Sequence, residues 1–194
     1  MRVVARAKLP TRFGSFTIVG IAGDGLPDGL AALVHGKVNG RSVPIVRLHS
    51  QCMTGDVLHS LRCDCRAQLE YSLRTIAKSR AGVLLYLLQE GRGIGLMNKL
   101  KAYELQDRGL DTVEANRALG FADDARDFGF AGQALRLLGA QRVKLLSNNP
   151  EKVRQLEAAG VEVVERLPCQ PRVSHAARKY LRVKRDKMGH LLAP

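Results

Sequence analysis

The sequence predicts an α/β fold, a layered sheet with flanking helices and antiparallel N-terminal strands in a single domain, and three observations carry that prediction. Apolar residues alternate over the first fifty positions, helical spacing takes over from Asp64, and helical and strand-like stretches then take turns. The 194 residues are 45% hydrophobic, enough to build the core of one such domain. Element by element, SFTIVGIAG and AALVHGKVNGRSVPIVRL read as antiparallel strands, and Asn39-Gly40 between two apolar runs predicts a tight hairpin turn. In CRAQLEYSLRTIAKS, Leu69, Leu73 and Ile76 keep helical spacing, and Ala81-Gly82 are expected to stop that helix before the strand VLLYLL. MNKLKAYELQDRG predicts a helix ending at Gly109, and a second helix ends at Gly139. RVKLLS is a strand, Pro150 opens a helix that closes at Gly160, and VEVVERL is the last strand. The motifs RLHSQC, QEGRGIG and SNNPEK each follow an apolar strand directly. Ligand crevices of open α/β sheets form at the C-terminal strand ends, so these three are expected to converge on one pocket.

The formal net charge of +13 recruits polyanions, whether nucleic acid, a membrane surface or a small phosphorylated substrate. There is no Trp, aromatics make up 5%, and they do not interleave with basic residues as base stacking requires, which argues against nucleic acid. No stretch approaches the roughly 18 apolar residues of a membrane span, and MRVVARAKLPTRFGSF lacks the apolar run of a signal peptide. No membrane association and a cytoplasmic location are therefore expected. Much of the excess charge sits in ARKYLRVKRDK, the kind of run that usually stays solvated. The expected division is a catalytic unit over residues 1–170 and a basic tail over 171–194.

Of the four cysteines, three crowd into QCMTGDVLHSLRCDC and Cys169 stands alone beside Pro168 and Pro171. That layout suits a metal site better than two disulfides, and thiolates favour zinc. A closed structural site would need a fourth ligand such as His49 or His59, whereas a catalytic site would keep a position open, and spacing leaves both readings standing. EGRGIG can bring backbone close to a ligand while Arg92 meets phosphate. SNNPEK offers a hydroxyl, two amides and Lys152 at a helix start, where the dipole already attracts anions. DDARD sets three carboxylates around Arg126. Metal, phosphate donors and acids together describe metal-assisted hydrolysis of a phosphorylated compound.

In order and spacing, RLHSQCMTGDVLHSLRCDCRAQLE, LLYLLQEGRGIGLMNKLKAYELQDRGLDTVEAN, LGFADDARDF, LLSNNPEKV and KMGHLL resemble the signature blocks of GTP cyclohydrolase II across nearly the whole chain. The resemblance implies conversion of GTP to 2,5-diamino-6-ribosylamino-4(3H)-pyrimidinone 5′-phosphate, formate and pyrophosphate, the first committed step of riboflavin synthesis. It implies one Zn2+ per chain on Cys52, Cys63 and Cys65 with the fourth position left to water, Mg2+ with the GTP phosphates, and a homodimer. GTP contacts are implied at Arg47, Leu48, His49, Ser50, Gln51, Gln68, Glu90, Gly91, Arg92, Thr112, Ser147 and Lys152. Asp124 resembles the family's proton acceptor, Arg126 its nucleophile toward the α-phosphate, and Tyr103 a residue acting near the opening ring. Gln51, Arg66, Ser147 and Val183 stand where the family commonly has Glu, Gly, Thr and Thr. For Arg126, elementary chemistry gives a second reading: a guanidinium keeps its proton beyond about pH 12, so it is expected to clamp phosphate electrostatically. Two rivals are a GTP-binding paralogue with an altered product and a zinc-stapled RNA-binding protein. The second leaves EGRGIG and SNNPEK without a task.

Overall fold

The structure, a computed structural model, describes residues 1–23, 26–39, 43–171, 189 and 191. Its strands are β1 (Arg2–Thr11), β2 (Gly14–Gly23), β3 (Leu26–Gly36), β4 (Ile45–Ser50), β5 (Ala81–Leu87), β6 (Arg142–Leu146) and β7 (Glu162–Leu167). Its helices are α1 (Cys65–Ala77), α2 (Gly95–Asp107), α3 (Thr112–Ala118), α4 (Gly129–Leu137) and α5 (Pro150–Ala158). The strands form one sheet in the order β1-β2-β3-β5-β4-β6-β7. The first three run antiparallel to their neighbours, while β5, β4, β6 and β7 are mutually parallel. This is the expected α/β sheet with an antiparallel N-terminal addition. Among the described residues, no helix is long and apolar enough to cross a membrane.

Period-2 alternation sorts the sheet into two faces. Val46 and Leu48 of β4 and Val83, Leu85 and Leu87 of β5 enter the larger core, closed by Ala131 and Leu135 of α4 and Leu156 of α5. On the other face, Leu84 joins Phe16 from β2 and Leu73 and Ile76 from α1. Each fully buried Leu contributes roughly 1.5–3 kcal/mol over exposure. The intervening residues Arg47 and His49 of β4 must therefore point toward α1, and that side becomes the site.

Three local expectations are corrected. The segment Ile45–Ser50 is not the second arm of a hairpin at Asn39-Gly40: it is a parallel strand, and β5 lies between it and β3. Nearly all of β4 and β5 is buried, and strands covered on both faces take central places that local turn chemistry does not override. Gly40 lies outside the described residues. Ala81 and Gly82 do not stop a helix, because α1 already ends at Ala77 and they begin β5. A helix absent from the expectation, α3, opens on a reciprocal capping box between Asp111 and Glu114. The run ARKYLRVKRDK and Val183 lie outside the described residues. Of KMGHLL, Gly189 and Leu191 are described, and the Leu191 amide donates to the Asn148 carbonyl at 2.9 Å.

Candidate active site

Because β4, β5 and β6 are parallel, their C-terminal ends share one edge of the sheet, and RLHSQC, QEGRGIG and SNNPEK meet there as expected. One cleft is lined by Arg47, His49, Ser50 and Gln51 after β4, by Glu90, Gly91 and Arg92 after β5, and by Ser147 and Lys152 after β6. The cysteines 52, 63 and 65, Gln68, Tyr103, Thr112 and Arg126 complete the expected set on its walls. Leu48 and Asp124 are not among the lining residues. The Leu48 side chain belongs to the core while its carbonyl accepts from Lys152 Nζ at 2.7 Å, and Asp124 stands behind Arg126.

At one end the three sulfurs of Cys52, Cys63 and Cys65 lie within 4.8 Å of one another, with Cys52 Sγ and Cys63 Sγ 3.7 Å apart. Cys65 opens α1, Cys63 lies in the loop just before it, and Cys52 follows β4 as the cap of a π-helical turn at Met53–Val57. The turn needs glycine at position 55, where an added Cβ would sit 2.9 Å from Cys63 Sγ and 3.2 Å from Cys52 Sγ. Cys63 and Cys65 donate to the Cys52 sulfur, with the Lys99 ammonium also nearby, so Cys52 loses its proton far below the usual thiol range. That thiolate in turn pushes Cys63 up to about 11 and Cys65 well above its ordinary value. Neither histidine joins the cluster. His49 Nε2 meets the Asp56 carboxylate at 3.0 Å, and His59 is exposed; among the described residues the metal-competent group is the three cysteines. Burial holds the His49 imidazole below its ordinary pKa despite Asp56. Cys169 lies elsewhere, buried with Sγ 3.9 Å from Ser72 Oγ and its backbone paired to the Asn148 amide.

Around the sulfurs, Tyr103 Oη lies 3.3 Å from Thr54 Oγ1, which is itself 3.5 Å from Cys52 Sγ. The Arg62 guanidinium sits 4.4 Å over the Tyr103 ring. Burial raises the Tyr103 phenol pKa, so it remains a hydrogen-bond donor.

The opposite end collects cations. Arg47 Nη1 donates to the Leu146 carbonyl at 3.1 Å and Nη2 to Gln68 Oε1 at 2.5 Å, while its buried Nε has no partner. Lys152 is 5% exposed, stands 5.0 Å over the Phe128 ring, and is pushed well below its ordinary pKa by burial and then by Arg47 and Arg126. Among the described residues no carboxylate pairs with Arg47 or Lys152. Arg126 binds Asp124 through Nε at 2.8 Å and Nη2 at 2.5 Å and turns Nη1 toward Ser50 Oγ at 3.3 Å. Burial works against ionisation of Asp124, but Arg126 prevails and holds it below the usual carboxylate range. The other two acids of DDARD go elsewhere, Asp123 to Arg117 and Asp127 to the Gly129 amide. Gly91 and Arg92 take φ of 62° and 61°, and a non-glycine residue in that region costs about 1–3 kcal/mol. The strained turn presents Arg92 to the cleft.

Sequence reasoning missed Asp56 and Lys99. Asp56 accepts from His49, from the Cys52 amide at 3.1 Å and from Tyr86 Oη at 2.9 Å, so it fixes the strand end that carries the first thiol. The register that sets His49 beside Tyr86 made that convergence, and no spacing rule reveals it. Arg66 adds a bond from Nη1 to the Asp56 carbonyl at 3.1 Å.

Residues 1–168 match the protein family described as GTP cyclohydrolase II. The chain is 53% identical over 189 residues to a GTP cyclohydrolase-2 of Azotobacter vinelandii (strain DJ / ATCC BAA-1303), spanning 97% of this chain and 91% of that one. It is 50% identical over 192 residues to a GTP cyclohydrolase-2 of Escherichia coli O9:H4 (strain HS), spanning 99% and 98%. A riboflavin biosynthesis protein of Vibrio vulnificus (strain YJ016) is 49% identical over 191 residues, 98% of this chain but 52% of its own length.

Proposed function

The chain belongs to the GTP cyclohydrolase II family, and from that premise we propose that it opens the imidazole ring of GTP and releases formate and pyrophosphate, leaving 2,5-diamino-6-ribosylamino-4(3H)-pyrimidinone 5′-phosphate. The observation that carries this reading is one cleft that brings a three-thiol metal-ligand cluster together with Arg47 and Lys152, which pair with no carboxylate among the described residues. The first suits hydrolysis at a ring carbon and the second suits a triphosphate.

The donor set fits zinc: three soft thiolates close enough to share one ion, with Gly55 leaving the space between them clear. Cys52, Cys63 and Cys65 would hold it, one per chain, and when bound it would supply Lewis acidity toward the water used at guanine C8. Tyr103, protonated beside the cluster, donates to the opened ring and positions the formamide for the second hydrolysis. At the other end Arg126 acts as a clamp. Phe128 lies 5.2 Å from its guanidinium and Asp124 holds two of its nitrogens, so it meets the α-phosphate pre-oriented. The resemblance gives Arg126 a nucleophile's role, but a guanidinium paired with a carboxylate is a poor nucleophile, and we read it as electrostatic, with a water attacking the α-phosphorus as the bond to the α–β bridging oxygen breaks and pyrophosphate leaves. Likewise, a carboxylate depressed by Arg126 is a weak base, which favours Asp124 as the holder of Arg126 over a proton acceptor. A polyanion beside Lys152 favours its ammonium form, and Mg2+ arrives with the phosphates. Ser50, Gln51, Gln68, Thr112 and Ser147 supply neutral hydrogen bonds along the wall.

We take residues 1–170 as the catalytic unit and 171–194 as a basic extension, the active species as a homodimer, and its setting as the cytoplasm, with neither nucleic acid nor membrane as partner. Purified protein with GTP, zinc and magnesium should release formate and pyrophosphate in equal amounts. GTP consumption without formate would overturn the reading.

A further inference from the structure

Lys99 is a helical lysine that is almost wholly buried. It sits on the second turn of α2, where it and Ala102 are the buried residues, and it is 8% exposed. Its Nζ donates to Cys52 Sγ at 3.1 Å and to Glu90 Oε1 at 2.8 Å. The other Glu90 oxygen accepts from the Met53 amide at 2.6 Å, immediately after the thiol residue. Glu90 Oε1 also takes the Gly91 amide at 2.8 Å. The Glu90 carboxylate, expected to touch substrate, is thus committed to protein partners, and what it holds in place is an ammonium against a metal-ligand sulfur. The arrangement answers an electrostatic problem. Three thiolates outweigh a divalent metal by one negative charge, Glu90 adds another, and such donors blunt the Lewis acidity that hydrolysis needs.

Resting on the metal reading above, we propose that Lys99 is a positioning residue of the metal site, whose ammonium, gripped by Glu90, draws electron density out of the Cys52 sulfur and restores the Lewis acidity that an all-thiolate set would lose. A charge-assisted N–H···S bond stabilises the sulfur lone pair, so the sulfur donates less to the metal. A merely structural Lys99–Glu90 ion pair would not alter the electronic state of Cys52.

Cobalt(II) loaded into the cysteine site reports that state directly through its sulfur-to-cobalt charge-transfer absorption. Parent, Lys99→Met and Lys99→Arg would be loaded with Co2+ alone, and their near-ultraviolet spectra compared with zinc-supported formate kcat and KM for GTP. In Lys99→Met the band moves to longer wavelength, because a sulfur without its cation gives up an electron more easily. Its kcat falls on the order of 10–100-fold with KM little changed, and Lys99→Arg recovers most of the band position. An unmoved band in cobalt-loaded Lys99→Met overturns the inference. If Lys99→Met fails to load, Lys99→Arg decides: loading with the parental band supports the role, and failure to load makes the lysine a fold requirement and overturns it. A parent protein that binds no Co2+ defeats the metal reading itself, a different failure with a different signature.

Discussion

The two ends of the cleft are built on opposite electrostatic plans. At the sulfur end the described charges are held by neighbours: Lys99 lies between Cys52 and Glu90, and Asp56 accepts from His49 and from the Cys52 amide. At the phosphate end Lys152 is buried with cations for company, and the Arg47 Nε is left unsatisfied. A buried cation without a counter-ion costs several kcal/mol and persists where a ligand supplies the missing charge. On the proposed reading the sulfur end is organised before substrate arrives, whereas Arg47 and Lys152 gain their counter-charge from it. This asymmetry makes the two halves chemically separable.

Removing a thiol tests the sulfur end most severely. Cys52→Ser, Cys63→Ser and Cys65→Ser should each lose the metal and all measurable formate release, while Cys169→Ser keeps both, as metal analysis and a formate assay will show. Full metal occupancy in Cys52→Ser would break the comparison. Tyr103→Phe should slow the second hydrolysis on the order of a hundredfold and accumulate a formamido intermediate, detected by mass. If that variant does not react with GTP at all, Tyr103 serves the first step. Gly55→Ala forces a methyl among the sulfurs, so metal affinity should fall on the order of 10–100-fold, read by competition with a chromophoric chelator. The smallest effect is at the phosphate end. Burial and neighbouring cations push the Lys152 pKa down and a bound polyanion pushes it back up, so inorganic triphosphate should bind with net proton uptake by this group. Calorimetry in buffers of different ionisation enthalpy measures this. Proton release, or equal uptake by Lys152→Met, would contradict the assignment.

The same contrast explains what the sequence could reveal. The cysteine spacing, the helix-opening Asn149-Pro150 and the three motifs after apolar strands are local, and the structure places them where local rules predict. The parallel placement of β4 depends on competition for the sheet centre, which Asn39-Gly40 cannot report. The helix α3 was legible, since Asp111 and Glu114 spell a capping box. Lys99 was not: a lysine in MNKLKAYELQDRG reads as one more solvated charge until the fold sets Cys52 and Glu90 against it. The pairing of Asp124 with Arg126 is likewise visible only in the geometry.

The central claim is that phosphate cleavage and ring opening share a substrate but no catalytic group. Arg126→Ala should lose pyrophosphate release before formate release, and the metal-free protein should show the converse. The most direct measurement follows pyrophosphate and formate in parallel from metal-free Cys63→Ser with GTP and magnesium, with circular dichroism confirming the fold and a binding assay confirming GTP uptake. The account predicts slow pyrophosphate release, GMP as the nucleotide product, and no formate. A folded, GTP-binding Cys63→Ser protein that releases no pyrophosphate would contradict it, because phosphate cleavage would then depend on the metal or on prior ring opening.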